Sequence, residues 1–431
     1  MTHAASTRVV PIAWNAFPAG RPRDADSERM RAILLSANRY ALTTWWTERG
    51  YAAQKDPILT FHGRGEDNIR PAANEAFALA VSLATGAYDE RVTGVSRDRA
   101  EAITKKLIGS LARRHRANSP QGWGNGWQTA AWATSTGFAG WLMWDRLSPE
   151  ERRDVQNMVI YESNRFNAYR VPYYQGKDGR IHYPGDTKAE ENAWNGMILQ
   201  LSTAMMPEHP NRNLWRSKML EFILSAFARP SDAHRQTLVH GRPLADWLQG
   251  SNANEDGSVI NQRRLHPDYM ATVSMNLHTA LTYGLARLPV PAAALFNARH
   301  VYQALDQGIF AGASIYQPRS PVIRYPAGTR WGSERRMHFA LLDAQAYAFG
   351  FDRGLNHSGT YWERLHAVEV ARMQERSKDG RTYQAPAEDL YGGREAWVAD
   401  LAAQAYLTKF IKANGLFRLT TEAFPYVRIG S

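Results

Sequence analysis

Apolar positions fall at helical spacing from one end of the chain to the other, and the two-residue alternation of strands is sparse. Behind Asp26 and Ser27, which suit an N-cap, Met30, Ile33, Leu34, Ala37 and Ala41 follow an i, i+3, i+4 rule. Pro71, tolerated in a first helical turn where its missing N–H is not needed, opens a segment carrying Phe77, Leu79, Val81 and Leu83. Ser96 with a charged first turn opens the next, whose Ile103, Leu107, Ile108 and Leu111 form one stripe. Residues 127–147 are nearly all apolar and read as a buried helix. Ser148-Pro149-Glu150-Glu151 then combines a cap, a first-turn proline and first-turn acids, starting a helix that runs to about Phe166. Further helices read as 187–206, 211–228, 268–287, 291–305, 333–349, 361–376 and 395–413.

Twelve helices joined in many places by short turns pair as antiparallel neighbours. Six such hairpins are the count of an (α/α)6 toroid, in which inner helices ring a core and one rim holds a site. The expectation is an all-α fold, a single toroid domain over 1–431 with an irregular segment over 1–25 and a short tail over 414–431. An open helical array is the lesser alternative, since no repeat of fixed period is visible. Three long connections, 167–185, 229–267 and 308–332, break the rhythm. Loops of that length are functional or disordered. Tyr173, Tyr174, Tyr183, Trp247, Tyr316, Tyr325 and Trp331 within them argue for packing or binding.

Composition narrows the chemistry. At 431 residues, 44% hydrophobic and 22% charged, the chain is neither disordered nor fibrous. The absence of cysteine removes disulfides, thiolate metal sites and cysteine nucleophiles. No apolar run approaches the ~20 residues of a membrane helix, so no membrane partner is expected. The first residues lack the apolar core of a secretory signal, which leaves the cytoplasm, or export with a leader already removed. A net charge of +11 favours an anionic partner, and 14 Trp with 19 Tyr supply flat faces for sugar rings. The basic run Arg113-Arg114-His115-Arg116 reads as a helix C-terminus rather than a nucleic-acid patch. Phosphate loops, nucleophile elbows and zinc helices are missing, and no cluster implies a metal or an organic cofactor.

Four segments concentrate chemistry. In the first, over 185–196, Glu190 pairs with Trp194 and Glu191 with Asn195 at i, i+4, beside Asn192. Carboxylate, amides and an indole suit a sugar subsite; the bland reading is acids answering a helix dipole. The second, over 252–270, carries Asn254, Glu255, Asp256, Asn261, Gln262, Arg263, Arg264, His266 and Tyr269, an imidazole and a phenol three residues apart. The third, over 324–332, offers Tyr325, Arg330 and Trp331, and arginine gives the bidentate carboxylate recognition that lysine cannot. The fourth pairs Trp123 with Trp127 around loosening glycines, as a sugar platform or as core.

The segments GDTKAEENAWN, INQRRLHPDYM and RYPAGTRW, with the toroid-sized helix count, resemble the heparinase II/III-like group of α/α-toroid polysaccharide lyases. The resemblance implies β-elimination on a uronic-acid polysaccharide, with an acidic polysaccharide or oligosaccharide as partner. In that scheme Asn192 or Asn195 neutralises the sugar carboxylate, assisted by Arg263 or Arg330. Tyr325 or Tyr269 serves as base and acid, and His266 is the second proton-handling group. Glu191 completes the catalytic candidates, and Trp194, Trp331, Trp127 and Asn254 those that bind substrate. Where the family shows Asn-His-Gly, this chain has Asn261-Gln262-Arg263, and glutamine cannot take the proton. An inverting glycoside hydrolase on the same toroid is the alternative, drawing two carboxylates from Asp186, Glu190, Glu191, Glu255 and Asp256. A non-catalytic binder of acidic glycans is the third reading.

Overall fold

The computed structural model describes residues 8–329, 335–384, 388 and 393–420. Helix α1 (Ala25–Tyr40) starts one cap earlier than Asp26: Asp24 accepts from the Ser27 backbone N–H at 3.0 Å and from its hydroxyl at 2.6 Å. Helix α2 (Glu66–Ala84) starts five residues before Pro71, so the proline lies inside it, contrary to the first-turn expectation. The N–H that Pro71 lacks would have gone to the Asp67 carbonyl; the Arg49 guanidinium donates to that oxygen instead, at 3.2 Å. Ser96 caps α3 (Arg97–Arg113), and Ser148 with Glu151 forms a reciprocal capping box on α5 (Pro149–Asn164).

Helix α4 is Thr129–Leu142, shorter than the apolar run that announced it. Trp127 lies outside it and is 63% exposed, not buried. Gly140 on α4 lets α5 approach, because a Cβ there would lie 2.8 Å from Val155 Cγ1. Next come α6 (Ala189–Met205) and α7 (Arg212–Ala226). The helix expected over 268–287 is broken into a short turn, Pro267–Ala271, and α8 (Ser274–Leu285). The one expected over 291–305 is likewise a 3-10 turn, Ala292–Leu295, followed by α9 (Ala298–Gln307). Asn297 at that break takes a left-handed φ of 55° and donates to Phe227 O at 2.8 Å and to Asp232 Oδ2 at 2.7 Å. A tertiary anchor has interrupted the helix. Helices α10 (Arg336–Phe349), α11 (Gly359–Glu375) and α12 (Arg394–Ala413) complete the series.

The even-numbered helices form a closed inner ring, each packed on the next and α12 returning onto α2. The odd-numbered ones lie outside them, with α1 against α11 and α12, α3 against α2, α5 against α4 and α7 against α6. Tyr302 ties α9 to α10 through Asp343 at 2.9 Å. This is an all-α, (α/α)6 toroid. Ala72, Ala73, Ala76, Ala78 and Ala80 on α2 are fully buried, small enough for helices to touch on several sides. Each outer helix leads into the N-terminus of an inner one, so the three long connections and the six inner N-termini share one rim. Among the described residues strands are two-residue pairings, all in connections: 175–176 with 250–251, and hairpins at 238–243, 260–265 and 309–314. No described helix is long and apolar enough to cross a membrane.

Candidate functional site

The N-terminal parts of α2, α4, α6, α8 and α12 enclose a cleft of about 610 Å³, walled by Arg70, Gln128, Trp132, Ser135, Glu190, Trp194, Trp397 and Asp400 among others. Trp194 carries the exposed Trp127 edge-on at 5.0 Å, so an indole pair stands at the mouth. The loop bearing Trp127 is fixed from behind by Glu162 of α5, which is fully buried. Its carboxylate accepts from Asn125 N at 2.8 Å, Thr129 Oγ1 at 3.0 Å and His115 Nε2 at 3.2 Å, and pairs with Arg165 at 2.7 Å. Burial opposes its charge, yet these partners hold its pKa below the ordinary value.

Two carboxyl groups meet this cleft from α6 and α12, which face each other across the ring. Glu190, half-buried in the first turn of α6, is pushed up to about 8 by burial, although Arg335 and Arg70 pull the other way. Asp400 of α12 is pushed up to about 7, again by burial. Gln404 Nε2 donates to Asp400 Oδ2 at 2.7 Å, and Ser135 Oγ to its Oδ1 at 3.3 Å. Behind the wall, Glu75 of α2 is fully buried and neither oxygen has a hydrogen-bond partner among the described residues. Burial, then the charges of Glu395 and Asp400, hold it well above the ordinary range, so it sits there as a neutral acid. The guanidinium groups of Arg335 and Arg70 lie 4.4 and 5.5 Å over the Trp397 ring.

The second cluster descends from the 260–265 hairpin. Its two-residue tip, Gln262-Arg263, has φ of 51° and 62°, the positive values of a type I′ turn, without glycine at either place. The hairpin is tied to the strand of chain entering α6: Thr187 N donates to Ile260 O at 2.8 Å, Asn261 Nδ2 to Asp186 Oδ1 at 3.0 Å, and Arg263 N to Gly185 O at 2.8 Å. Gly185 is required, since its φ is 80° and a Cβ would meet Arg263 Cγ at 2.5 Å. Thus held, Gln262 hydrogen-bonds the Tyr269 phenol. Burial and the nearby Glu190 push that phenol up, more than Arg335 and Gln262 lower it, so Tyr269 is a neutral O–H. His266 is fully buried, 4.8 Å edge-on to Tyr269 and 6.1 Å from Tyr325, and burial pushes it down to about 4. Tyr325 OH donates to Asp268 Oδ1 at 2.6 Å; Asp268 Oδ2 lies 3.9 Å from Arg335 Nε and 4.0 Å from His266 Nδ1.

The structure therefore gathers His266, Tyr269 and Tyr325 from two connections, and brings Glu190, Trp194 and Trp127 to the adjoining mouth. It places others elsewhere. Asn192 is buried against α7, donating to Pro172 O and Ser225 Oγ at 3.0 Å each. Asn195 is buried, with no hydrogen-bond partner for Oδ1 among the described residues. Glu191 pairs with Lys188 at 3.4 Å and accepts from Tyr169 OH at 3.5 Å. Arg263 is exposed at the hairpin tip. Asn254 donates to Ser258 Oγ at 2.8 Å, and Asp256 accepts from Ser258 N at 2.9 Å, a local turn. Glu255 accepts from Ser231 N at 3.1 Å, and its carbonyl meets His300 of α9 at 2.8 Å, on the outer helix layer. Arg330 and Trp331 lie outside the described residues.

Sequence reading missed Asp400, Glu75, Arg70, Arg335, Asp268 and Trp397. For Asp400 and Glu75 a signal was present: each is a carboxylate inside an otherwise apolar helical run. Among the described residues no three His, Asp or Glu side chains gather as a metal site.

No protein-family model matches the sequence, and no curated protein does. The chain is similar to the solved structure of the GH76A α-1,6-mannanase of Salegentibacter sp. HEL1_6, at 13% identity and a TM-score of 0.43. It is similar also to an inactive variant of that enzyme in complex with α-1,6-mannotriose, at 12% identity and a TM-score of 0.42. Each match covers 89% of this chain and 99% of the other. These are mannanases, not lyases of the group that the sequence segments resemble.

Proposed function

We propose that the protein is a glycoside hydrolase that cleaves a polysaccharide at the ring mouth, with Glu190 as general acid. The observation that carries this reading is a carboxyl group kept protonated to about pH 8 at the mouth of a cleft flanked by indoles. Such a group donates its proton to the glycosidic oxygen as the C–O bond breaks. Asp400, on the facing helix, is the base: ionised above about 7, it takes a proton from the water that attacks the anomeric carbon. The two carboxyls come from helices on opposite sides of the ring, and an inverting reaction is the one that asks for such a pair to stand apart and admit that water. The Trp194–Trp127 pair serves as a sugar platform and Tyr269 as a neutral hydrogen-bond donor, while Tyr325 donates to Asp268 beside it. The net charge of +11, with Arg70 and Arg335 at the mouth, favours a glycan bearing acidic groups.

A second reading, β-elimination on a uronic acid, is favoured by the Tyr269, His266 and Arg335 cluster. It asks Tyr269 to act as a base although its environment favours the neutral phenol, and His266 to accept a proton from a fully buried position. The test is one incubation of purified protein with neutral and uronate-containing polysaccharides, read two ways. New reducing ends without ultraviolet absorbance support hydrolysis. Absorbance from an unsaturated uronic acid installs the elimination reading. Neither signal, with retained binding, leaves a glycan-binding protein.

A further inference from the structure

A second cleft, of about 1020 Å³, opens on the flank of the toroid beside α7. Its walls come from the connection entering α6 (Arg170, Tyr173, His182 and Tyr183), from Glu221 of α7 and from Gln249. Tyr183 is 42% exposed, and the Lys188 ammonium lies 4.6 Å from its ring centroid. The side chains of Arg170, His182 and Gln249 make no hydrogen bond or ion pair with a described residue, yet all border this one space. Glu221 is held in place by Lys218 at 2.6 Å, which also donates to the Tyr169 carbonyl at 2.8 Å. An exposed phenol ring surrounded by planar groups able to form paired hydrogen bonds suits a pyranose: C–H faces stack on the ring, and vicinal hydroxyls bridge to guanidinium, carboxylate and amide.

Position adds to composition. The segment that walls the cleft runs directly into α6, whose second residue is Glu190. Lys188, two residues before Glu190, is bonded to Asp186 at 2.8 Å and set against Tyr183. Tyr183 of the flank cleft and Glu190 of the ring mouth thus lie seven residues apart on one segment of chain. We infer that this cleft is a distal binding site for a glycan chain, holding sugar units several positions from the bond cut at Glu190. The inference rests on the glycan reading of the ring mouth, and its consequence is selective: long chains engage both clefts and short ones do not.

The test uses Arg170→Ala and Tyr183→Ala, exposed positions outside the catalytic machinery, beside wild type and Glu190→Gln. Each is run through native gels containing a mannan, alginate, hyaluronan or chondroitin. Retardation of wild type and Glu190→Gln by one of these polymers, lost in the two flank variants, supports the inference whether or not the polymer is cleaved. With a cleaved polymer, KM in the flank variants rises about tenfold at unchanged kcat, while trisaccharide kinetics stay the same. Equal retardation of all four proteins, or none of wild type by any polymer, overturns it. Absence of cleavage with selective retardation instead removes the hydrolase reading and leaves the cleft.

Discussion

Glutamine at position 190 keeps the shape of the side chain and removes its proton, and it should change stability and activity in opposite directions. Glu190 moves from an ordinary 4.5 to about 8 on folding. That distance corresponds to on the order of 5 kcal/mol between the protonated and ionised forms. Below pH 4.5 the group is neutral in both states and folding is not penalised. As pH rises toward 8, the unfolded chain ionises freely while the folded one keeps its proton, so stability drains at about 1.4 kcal/mol per pH unit. Glutamine is neutral throughout and loses nothing. Urea unfolding of wild type and Glu190→Gln at pH 5 and pH 8 reads the difference. The variant should gain about 4 kcal/mol relative to wild type across that interval. On the cleaved polysaccharide, kcat should fall by roughly 100- to 10,000-fold, the contribution of a positioned general acid. Parallel stability curves for the two proteins would falsify the argument, because a carboxylate already ionised at pH 7 cannot serve as the acid.

Three further outcomes are expected. The pH profile of kcat/KM should be a narrow bell, rising through about 7 as Asp400 ionises and falling through about 8 as Glu190 does. Asp400→Asn should abolish turnover, and full activity of wild type at pH 5 would contradict the assignment of the base. Removing Glu162 leaves His115, Thr129, the Asn125 amide and Arg165 without their shared acceptor in a fully buried site. Glu162→Ala should therefore cost about 3–5 kcal/mol in chemical unfolding, and a loss under about 1 kcal/mol is the result that rejects it. Trp127→Ala, at a 63% exposed position, should change stability by less than about 0.5 kcal/mol. It should raise KM about 3- to 10-fold if the indole stacks on sugar, and an unchanged KM would return Trp127 to the ordinary surface.

Helices were legible where the signal is local. Ser96, Ser148 and Glu151 cap by contacts within one turn, and the apolar stripes between caps need no partner to be read. The failures occur where a distant group decides. Pro71 continues a helix because Arg49 reaches the abandoned carbonyl, and Asn297 ends one because Phe227 and Asp232 wait for its amide. The same divide runs through the site. His266 and Tyr269 stood out through density of chemistry in one segment, and Tyr325 joined them through a bond to Asp268 that crosses between connections. The same density drew attention to Asn254, Glu255 and Asp256, whose polar atoms are consumed by a turn and by Ser231. Asp400 gains meaning from the face of α12 that looks into the ring, and Arg335 from its place just before α10, which a linear reading does not supply.

The position of Glu190 is itself a contest that magnitudes decide. It lies in the first turn of α6, where a helix dipole favours a carboxylate by about 0.3–1 kcal/mol at the surface and up to ~2 kcal/mol when partly buried. Arg335 and Arg70 pull in the same direction. On an open helix these influences would keep the group ionised at any physiological pH. Closing the helices into a ring changes the balance, because Trp132 and Trp397 of its neighbours, with Trp194 one turn along α6, replace water around the carboxyl. Excluding water from an ion costs several kcal/mol, and that exceeds dipole and arginines together. The proton is thus retained through the architecture more than through any single neighbour. Changes that let water into the ring, such as Trp397→Ala, should then bring the alkaline limb of the activity profile down from about 8 toward the ordinary carboxylate range. The same substitution removes the ring beneath both guanidinium groups, and if they swing away the limb moves up instead. The direction of that displacement therefore reports whether desolvation or the arginines govern the acid.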